Sequence, residues 1–260
     1  MTSVARQKQE QNYPDITNGE FAIFRDFFYR KTGIRFESTK HYFVDKRIVE
    51  RMKQTGKTDF KTYFSFVRFQ ASGEELQHLI NSMTVNETYF YREEYQFQCL
   101  VESVLTEVVN HKQKLTKPIR IWSVPSSTGE EPYSIAIYLI ENWSMIEDVD
   151  IEIMASDIDS HVLDKCNKGI YSERSIQKLP MRLLKKYFIK RNDGSFQICN
   201  DLRGAITFTQ VNLSDSVHCK KIRGIDIIFC RNLLIYFDDE SRRQAAEVFF
   251  DALNPGGFIF

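Results

Sequence analysis

Between residues 119 and 139 the chain reads IRIWSVPSSTGEEPYSIAIYL: an apolar run, a turn of small residues, two adjacent carboxylates, then an apolar-periodic segment. A strand that feeds a helix through such a turn is a common place to hold a ligand, most often a phosphate. Glu130 and Glu131 would repel a phosphate by roughly 1 to 4 kcal/mol at moderate separation. The turn also has a single glycine, Gly129, where a pyrophosphate cradle needs G-x-G-x-x-G. Three further segments end apolar runs with ligand-capable side chains: SDID at 156–159, VNLSD at 211–215 and CRN at 230–232. Asp157 follows the first turn at close to the usual βαβ spacing, where a carboxylate holds both hydroxyls of a ribose. A nucleoside with positive charge and no phosphate satisfies both constraints. S-adenosylmethionine has ribose hydroxyls, an ammonium and a sulfonium, so the Glu130/Glu131 pair would serve its cationic end and Asp157 its ribose. Each acid also has a plainer use. Glutamates in a first helical turn favour the helix dipole, and Asp157 or Asp159 can cap the helix before HVLDKC.

The elements that must position these residues divide the chain in two. From residue 20 to about 110 the pattern is helical: FAIFRDFFYRKTG, STKHYFVDKRIVERMKQTG, DFKTYFSFVRFQ and SGEELQHLINSM, with no strand signal before residue 119. Beyond it, IRIWSV, IEIMAS, ITFTQVN, IDIIFC and GFIF read as strands. EPYSIAIYLIENW, HVLDKCNKGIY, PMRLLKKYF and ESRRQAAEVFFDAL read as helices, with a hairpin at Asn192-Asp193-Gly194. Such alternation predicts a parallel α/β sheet with right-handed crossovers. The polar HKQKLTKP stretch places the boundary within 105–118.

The chain has 260 residues, 42% of them hydrophobic, and no net charge. Its longest apolar stretches fall far short of a membrane span, and its N-terminus has no signal-peptide core. Five scattered cysteines without CxxC spacing, and dispersed histidines, argue for a reducing compartment and against a metal site. Between Phe21 and Gln70 there are 12 Lys/Arg and 5 Asp/Glu, a local charge of +7 inside a neutral chain. Val44, Ile48 and Met52 form one apolar stripe, and Lys40, Lys46, Arg47, Arg51 and Lys53 fall on the opposite half of the same helical wheel.

In order along the chain, TVNETYFYRE, IWSVPSSTGEEPYSIAI, ASDID with a downstream GIY, and IIFCRNLLIYFD resemble the chemotaxis receptor glutamate methyltransferases, the CheR family, over roughly residues 20 to 258. The resemblance implies a fold of class α/β. A disordered lead-in (1–18) and an N-terminal all-helical, receptor-docking domain (19–110) precede a Rossmann-like S-adenosylmethionine-dependent methyltransferase domain (111–260), which carries a small inserted β-hairpin subdomain near 188–206. It implies methyl transfer to glutamates on the cytoplasmic helices of chemoreceptors, with S-adenosylhomocysteine as product. Carried over residue by residue, the N-x-T-x-F-x-R pattern places Asn86, Thr88 and Arg92 in the cofactor site. GEEPYS adds Glu131 with Glu130 beside it, SDID adds Asp157, VNL adds Asn212 and Leu213, and CRN adds Arg231 and Asn232. Tyr236 matches the tyrosine beside the transferred methyl, and Arg92 also the residue near the substrate carboxylate. The basic helix, through Lys40, Lys46, Arg47, Arg51 and Lys53, would dock the acidic face of a receptor.

The chain departs from the family pattern at Val124-Pro125-Ser126, and it stops at GGFIF where the family continues into a final hairpin. Its IKRNDGSFQI hairpin is short, which favours receptor recognition without a peptide tether. A substrate glutamate is ionised at neutral pH, so no general base is required, in keeping with the lack of a His-Asp dyad. The expectation is a cytoplasmic monomer without metal, nucleic-acid partner or membrane insertion. Rival readings are a nucleic-acid methyltransferase, for which the D/N-P-P-aromatic turn is missing, a non-catalytic cofactor sensor, and, last, an NAD enzyme.

Overall fold

In a computed structural model, residues 13–112 and 117–260 are described; most of the expected lead-in and the centre of the HKQKLTKP stretch lie outside them. The chain separates into two units. One comprises residues 1–28 and 36–83; the other comprises residues 29–35 and 84–260.

The first unit is helical: α1 (Asn18–Thr32, whose last turn belongs to the second unit), α2 (His41–Thr55), α3 (Phe60–Phe69) and α4 (Glu74–Met83). The apolar stripe of α2 is buried as expected, with Val44, Ile48 and Met52 all at 0% exposure. Asp59 caps α3 by accepting from Thr62 N, and Gly56 ends α2 in the left-handed region. Two of the five cations expected to dock a receptor are engaged within the helical unit. Arg47 donates Nε to Ser82 O (2.7 Å) and lies 3.4 Å over the Phe43 ring. Arg51 pairs with the buried Glu75 (2.5 Å), which also accepts from Tyr63 OH (2.8 Å). The half-wheel opposite a core stripe includes its flanks, and a long guanidinium there folds back onto neighbouring helices. Lys40, Lys46 and Lys53 are exposed.

The second unit opens with α5 (Tyr95–Cys99), a π-helical turn (Leu100–Val104) and α6 (Leu105–His111). There follow β1 (Ile119–Ser123), α7 (Glu130–Asn142), β2 (Ile151–Asp157), α8 (Ser160–Lys168), β3 (Ile170–Tyr171), α9 (Glu173–Ile176), α10 (Met181–Tyr187), β4 (Phe188–Lys190) and β5 (Phe196–Ile198). It closes with α11 (Asn200–Gly204), β6 (Ile206–Gln210), α12 (Ser216–Cys219), β7 (Ile225–Phe229), α13 (Asp239–Ala252) and β8 (Leu253–Ile259). Five strands form an entirely parallel sheet in the order β6-β2-β1-β7-β8. Strand alternation sends side chains to two cores. Ile119, Ile121, Ile153 and Ile227 pack with α5–α7, while Trp122, Ile228 and Val124 pack with Ala245, Val248 and Phe249 of α13. Among the described residues no helix is long and apolar enough to cross a membrane.

Three expectations need correction. The chain divides after Met83, not near residue 110, because Phe90, Tyr91, Phe97, Leu100, Val104, Leu105 and Val108 share one core with Ile119 and Ile121. A polar stretch marks a surface loop, and a surface loop need not be a domain boundary. The helix read through GIY ends at Lys168, where Gly169 caps it and Ile170–Tyr171 becomes a strand. The inserted sheet, β3-β5-β4, therefore begins earlier than residue 188, with the expected turn at Asn192–Gly194 joining β4 to β5. Among the described residues no strand precedes Ile119; Ile34 makes only an isolated antiparallel bridge with Phe237.

Candidate active site

Chain order reverses beside β1, with β2 and β6 on one side and β7 and β8 on the other, and in open parallel sheets the crevice beyond such a reversal is where ligands bind. Register brings the strand ends level: Ser123 pairs with Ala155 of β2 and Phe229 of β7, and Asp157 pairs with Gln210 of β6. The SSTGEEP, SDID, VNL and CRN segments thus leave the sheet from one edge.

The turn after β1 is bolted from several directions. Ser126 N donates to Ser156 O (2.7 Å), Ser127 N to Asp157 Oδ2 (2.8 Å), and Cys166 Sγ to Ser127 O (3.2 Å). Tyr171 OH donates to Thr128 O (3.0 Å), which gives the GIY tyrosine a structural task that the motif alone did not reveal. Gly129 has φ +96°, and a Cβ there would meet Tyr171 Oη at 3.0 Å and Cys166 Sγ at 3.1 Å. Only glycine lets the backbone pass so close. The Val124–Pro125 bond in this turn is cis.

The two glutamates part company, since successive helical residues point about 100° apart. Glu130 is 2% exposed, accepts from Thr128 Oγ1 (2.5 Å), and is held above the ordinary carboxyl range by burial. It is a buried group, hydrogen-bonded within its own turn. Glu131 accepts from Ser123 Oγ (2.8 Å) and pairs with Arg231 (3.1 Å). Burial pushes its carboxyl up to about 7, while the guanidinium of Arg231, and more distantly that of Arg92, pull it down. Arg231 also donates to Arg92 O (2.6 Å) and pairs with Glu93 (3.1 Å), so its charge is committed to the protein. The Arg92 side chain donates to Glu87 O (3.2 Å).

Asp157 is 3% exposed. Its oxygens accept from the main-chain N–H groups of Ser127 and Asp159, and burial raises its carboxyl to about 7. The plain capping role belongs to Asp159, which accepts from His161 N and Val162 N and also from Thr84 Oγ1 (2.6 Å) and Asn86 Nδ2 (2.9 Å). Asn86 is therefore tied to the cap of α8, and Thr88 is half-buried nearby in sequence. Asn212 has both ends of its carboxamide engaged, by Lys31 O and Ser214 N, and Leu213 is a core residue beside Trp122. Asn232 is exposed, and Tyr236 is 44% exposed on a short 3-10 turn.

Among the described residues four non-glycine residues have positive φ: Tyr91 (60°), Glu93 (56°), Ser127 (47°) and Asn232 (57°). All lie on the segments just described, and strain of this kind concentrates at functional sites. Ser127 Oγ and Arg231 Nε are buried without a partner among the described residues. Unmatched buried polar atoms, two acids at about 7 and a glycine-only passage suit a polar, cationic nucleoside better than a phosphate.

Sequence comparison decides the family. Residues 86–260 match the profile of "CheR methyltransferase, SAM binding domain", and residues 19–84 that of "CheR methyltransferase, all-alpha domain". The chain belongs to the CheR methyltransferase family. It is 55% identical over 245 residues to "Chemotaxis protein methyltransferase 2" of Vibrio cholerae serotype O1, covering 94% of this chain and 84% of that one. It is 34% identical to the protein of the same name from Pseudomonas aeruginosa, covering 97% and 87%. The Salmonella typhimurium "Chemotaxis protein methyltransferase" is 32% identical, covering 94% and 83%. This CheR chain is an S-adenosylmethionine-dependent methyltransferase. The two profiles meet at residues 84–86, the same place where the structure divides.

Proposed function

We propose that the enzyme methylates glutamate side chains on the cytoplasmic helices of chemoreceptors, forming γ-methyl esters, and that Arg92 and Tyr236 act on the reacting atoms. The observation that carries this reading is the pair of acids, buried Asp157 and half-buried Glu131, at the reversal of the sheet, with Arg231 joining Glu131 to the segment that bears Arg92. S-adenosylmethionine supplies an electrophilic methyl on a positively charged sulfur. Asp157 holds the ribose hydroxyls, Glu131 faces the cationic end, and Ser127 Oγ and the main chain at 231–232 and 212–213 complete the pocket, with Asn86 and Thr88 closing it.

The substrate carboxylate arrives ionised, so no residue need remove a proton. Arg92 aligns it by a charge-assisted hydrogen bond, and Tyr236 on the exposed rim restrains the methyl or the attacking oxygen. Positioning and exclusion of water then supply the rate enhancement. Lys40, Lys46 and Lys53 attract the acidic receptor face, whereas Arg47 and Arg51 hold the helical unit together. Their hydrogen bonds and ion pairs support this division of labour.

The test combines calorimetry with S-adenosylhomocysteine and transfer of radiolabelled methyl to a receptor cytoplasmic fragment, with and without its C-terminal tail. Base-labile label on the fragment is expected. Label that resists base, or that goes to nucleic acid instead, would sink the reading.

A further inference from the structure

Residues 29–35 leave the helical unit for seven positions and lodge in the sheet-bearing one. They are seated by specific contacts. Lys31 O accepts from Asn212 Nδ2 (2.7 Å), and Gly33 O accepts from Ser241 Oγ (3.0 Å). Tyr29 OH donates to Asp238 Oδ1 (3.0 Å), and Arg35 pairs with Asp238 Oδ2 (3.2 Å). Ile34 bridges Phe237, the residue after Tyr236. Gly33 has φ +72°, and a Cβ at that position would lie 2.4 Å from Ser214 Oγ. Thr32, between these contacts, is 2% exposed.

One short segment therefore grips two stretches beyond the functional end of the sheet: the loop 212–214 after β6, and residues 237–241 after β7, which enter α13. Asp238 is the shared anchor on the second loop. It caps α13 through Ser241 N while receiving Tyr29 and Arg35, and these contacts hold its carboxyl below the ordinary range, the Ser241 N–H bond first among them. The Tyr236 N–H donates to Leu233 O within its short turn, which is also held by Arg242 Nε on Leu234 O (3.0 Å). What fixes Phe237 and Asp238, on the far side of that turn, bears directly on its placement.

We propose that residues 29–35 form a positioning strap, with Tyr29, Ile34 and Arg35 setting the place of Tyr236 for methyl transfer. The proposal rests on the reading that Tyr236 works beside the transferred methyl. A strap that merely anchored the end of α1 would contribute to stability alone. A strap that positions Tyr236 also controls turnover, because small displacements of a positioning group cost up to about 100-fold in rate.

The experiment uses the full chain with Tyr29→Phe and Arg35→Gln combined, and Tyr29→Phe alone as the milder variant should the double one not fold. Three readouts are taken: kcat and KM with the receptor fragment, calorimetric affinity for S-adenosylhomocysteine, and the 19F resonance of 3-fluorotyrosine placed at position 236. The expected result is about a tenfold fall in kcat, KM and nucleoside affinity within about twofold, and a shifted or broadened 19F line. An unmoved 19F line, or an unchanged kcat in a folded variant, overturns the proposal. So does a loss of nucleoside affinity in step with kcat. If the parent chain binds the nucleoside but methylates no receptor, the functional reading fails, and the 19F line still decides whether the strap sets Tyr236.

Discussion

Asp226 and Asp157 sit in the same parallel sheet, at opposite ends of it, and both are almost wholly buried, at 4% and 3% exposure. Asp226, at the start of β7, is saturated. It accepts from Arg120 N (2.9 Å) and Asn254 Nδ2 (2.8 Å) and pairs with Lys112 (2.7 Å). Asp157, at the end of β2, accepts two main-chain N–H bonds and has no cation against it, so burial wins and its carboxyl rises to about 7. The non-glycine residues with positive φ cluster at the second end too. A buried carboxylate that owns its partners holds a structure together. One that lacks a counter-charge is kept for a guest.

The contrast can be broken in four ways. Asp226→Ala strands a largely buried lysine and should cost about 3 kcal/mol in urea unfolding, with S-adenosylhomocysteine affinity of the folded protein within about twofold. No loss of stability would erase the distinction. Asp157→Asn should do the reverse. Calorimetric affinity for the same nucleoside should fall about 30-fold, or about 2 kcal/mol, as hydrogen bonds to a charged group are lost. Stability at pH 7 should not fall, because folding no longer carries the cost of raising this carboxyl.

Titration sharpens the same point. Asp157 and Glu131 both ionise near 7 in the folded chain and near 4 when unfolded. Folding stability without ligand should therefore drop as pH rises from about 4 to about 7 and then level. Affinity for the cationic nucleoside should rise through that upper range, by at most about tenfold per pH unit for each group. Thermal melts and calorimetry between pH 5 and 8 would show the two trends running in opposite directions, and Asp157→Asn should lessen both, leaving the part that Glu131 contributes. The smallest effect is expected from Ser127→Gly. Relief of φ +47° should add up to about 1 kcal/mol of stability, and loss of Oγ should weaken nucleoside binding. A variant that melts earlier would contradict the strain reading.

Much of this was legible beforehand. The alternation of strands and helices, the hairpin at Asn192–Gly194, the α2 stripe and the collection of acids at strand ends all follow from local spacing, which the sequence displays directly. What escaped notice was partnership. Nothing near Arg51 in the chain announces Glu75, and nothing near Asn212 announces Lys31, 181 positions away. Glu130 and Glu131 look equivalent as neighbours, yet one turns into the interior and the other toward Arg231. The boundary is hidden for the same reason: residues 84–111 have a helical pattern like those before them, and only packing reveals which core they join.

The sequence by itself determined which elements form, their order, and which strand ends carry acids, because periodicity and turn chemistry act over a few residues. Tertiary structure alone decided which of those charged and polar groups are already spent on one another and which still lack a partner. Burial and pairing are properties of segments brought together from far along the chain, and no local pattern encodes them.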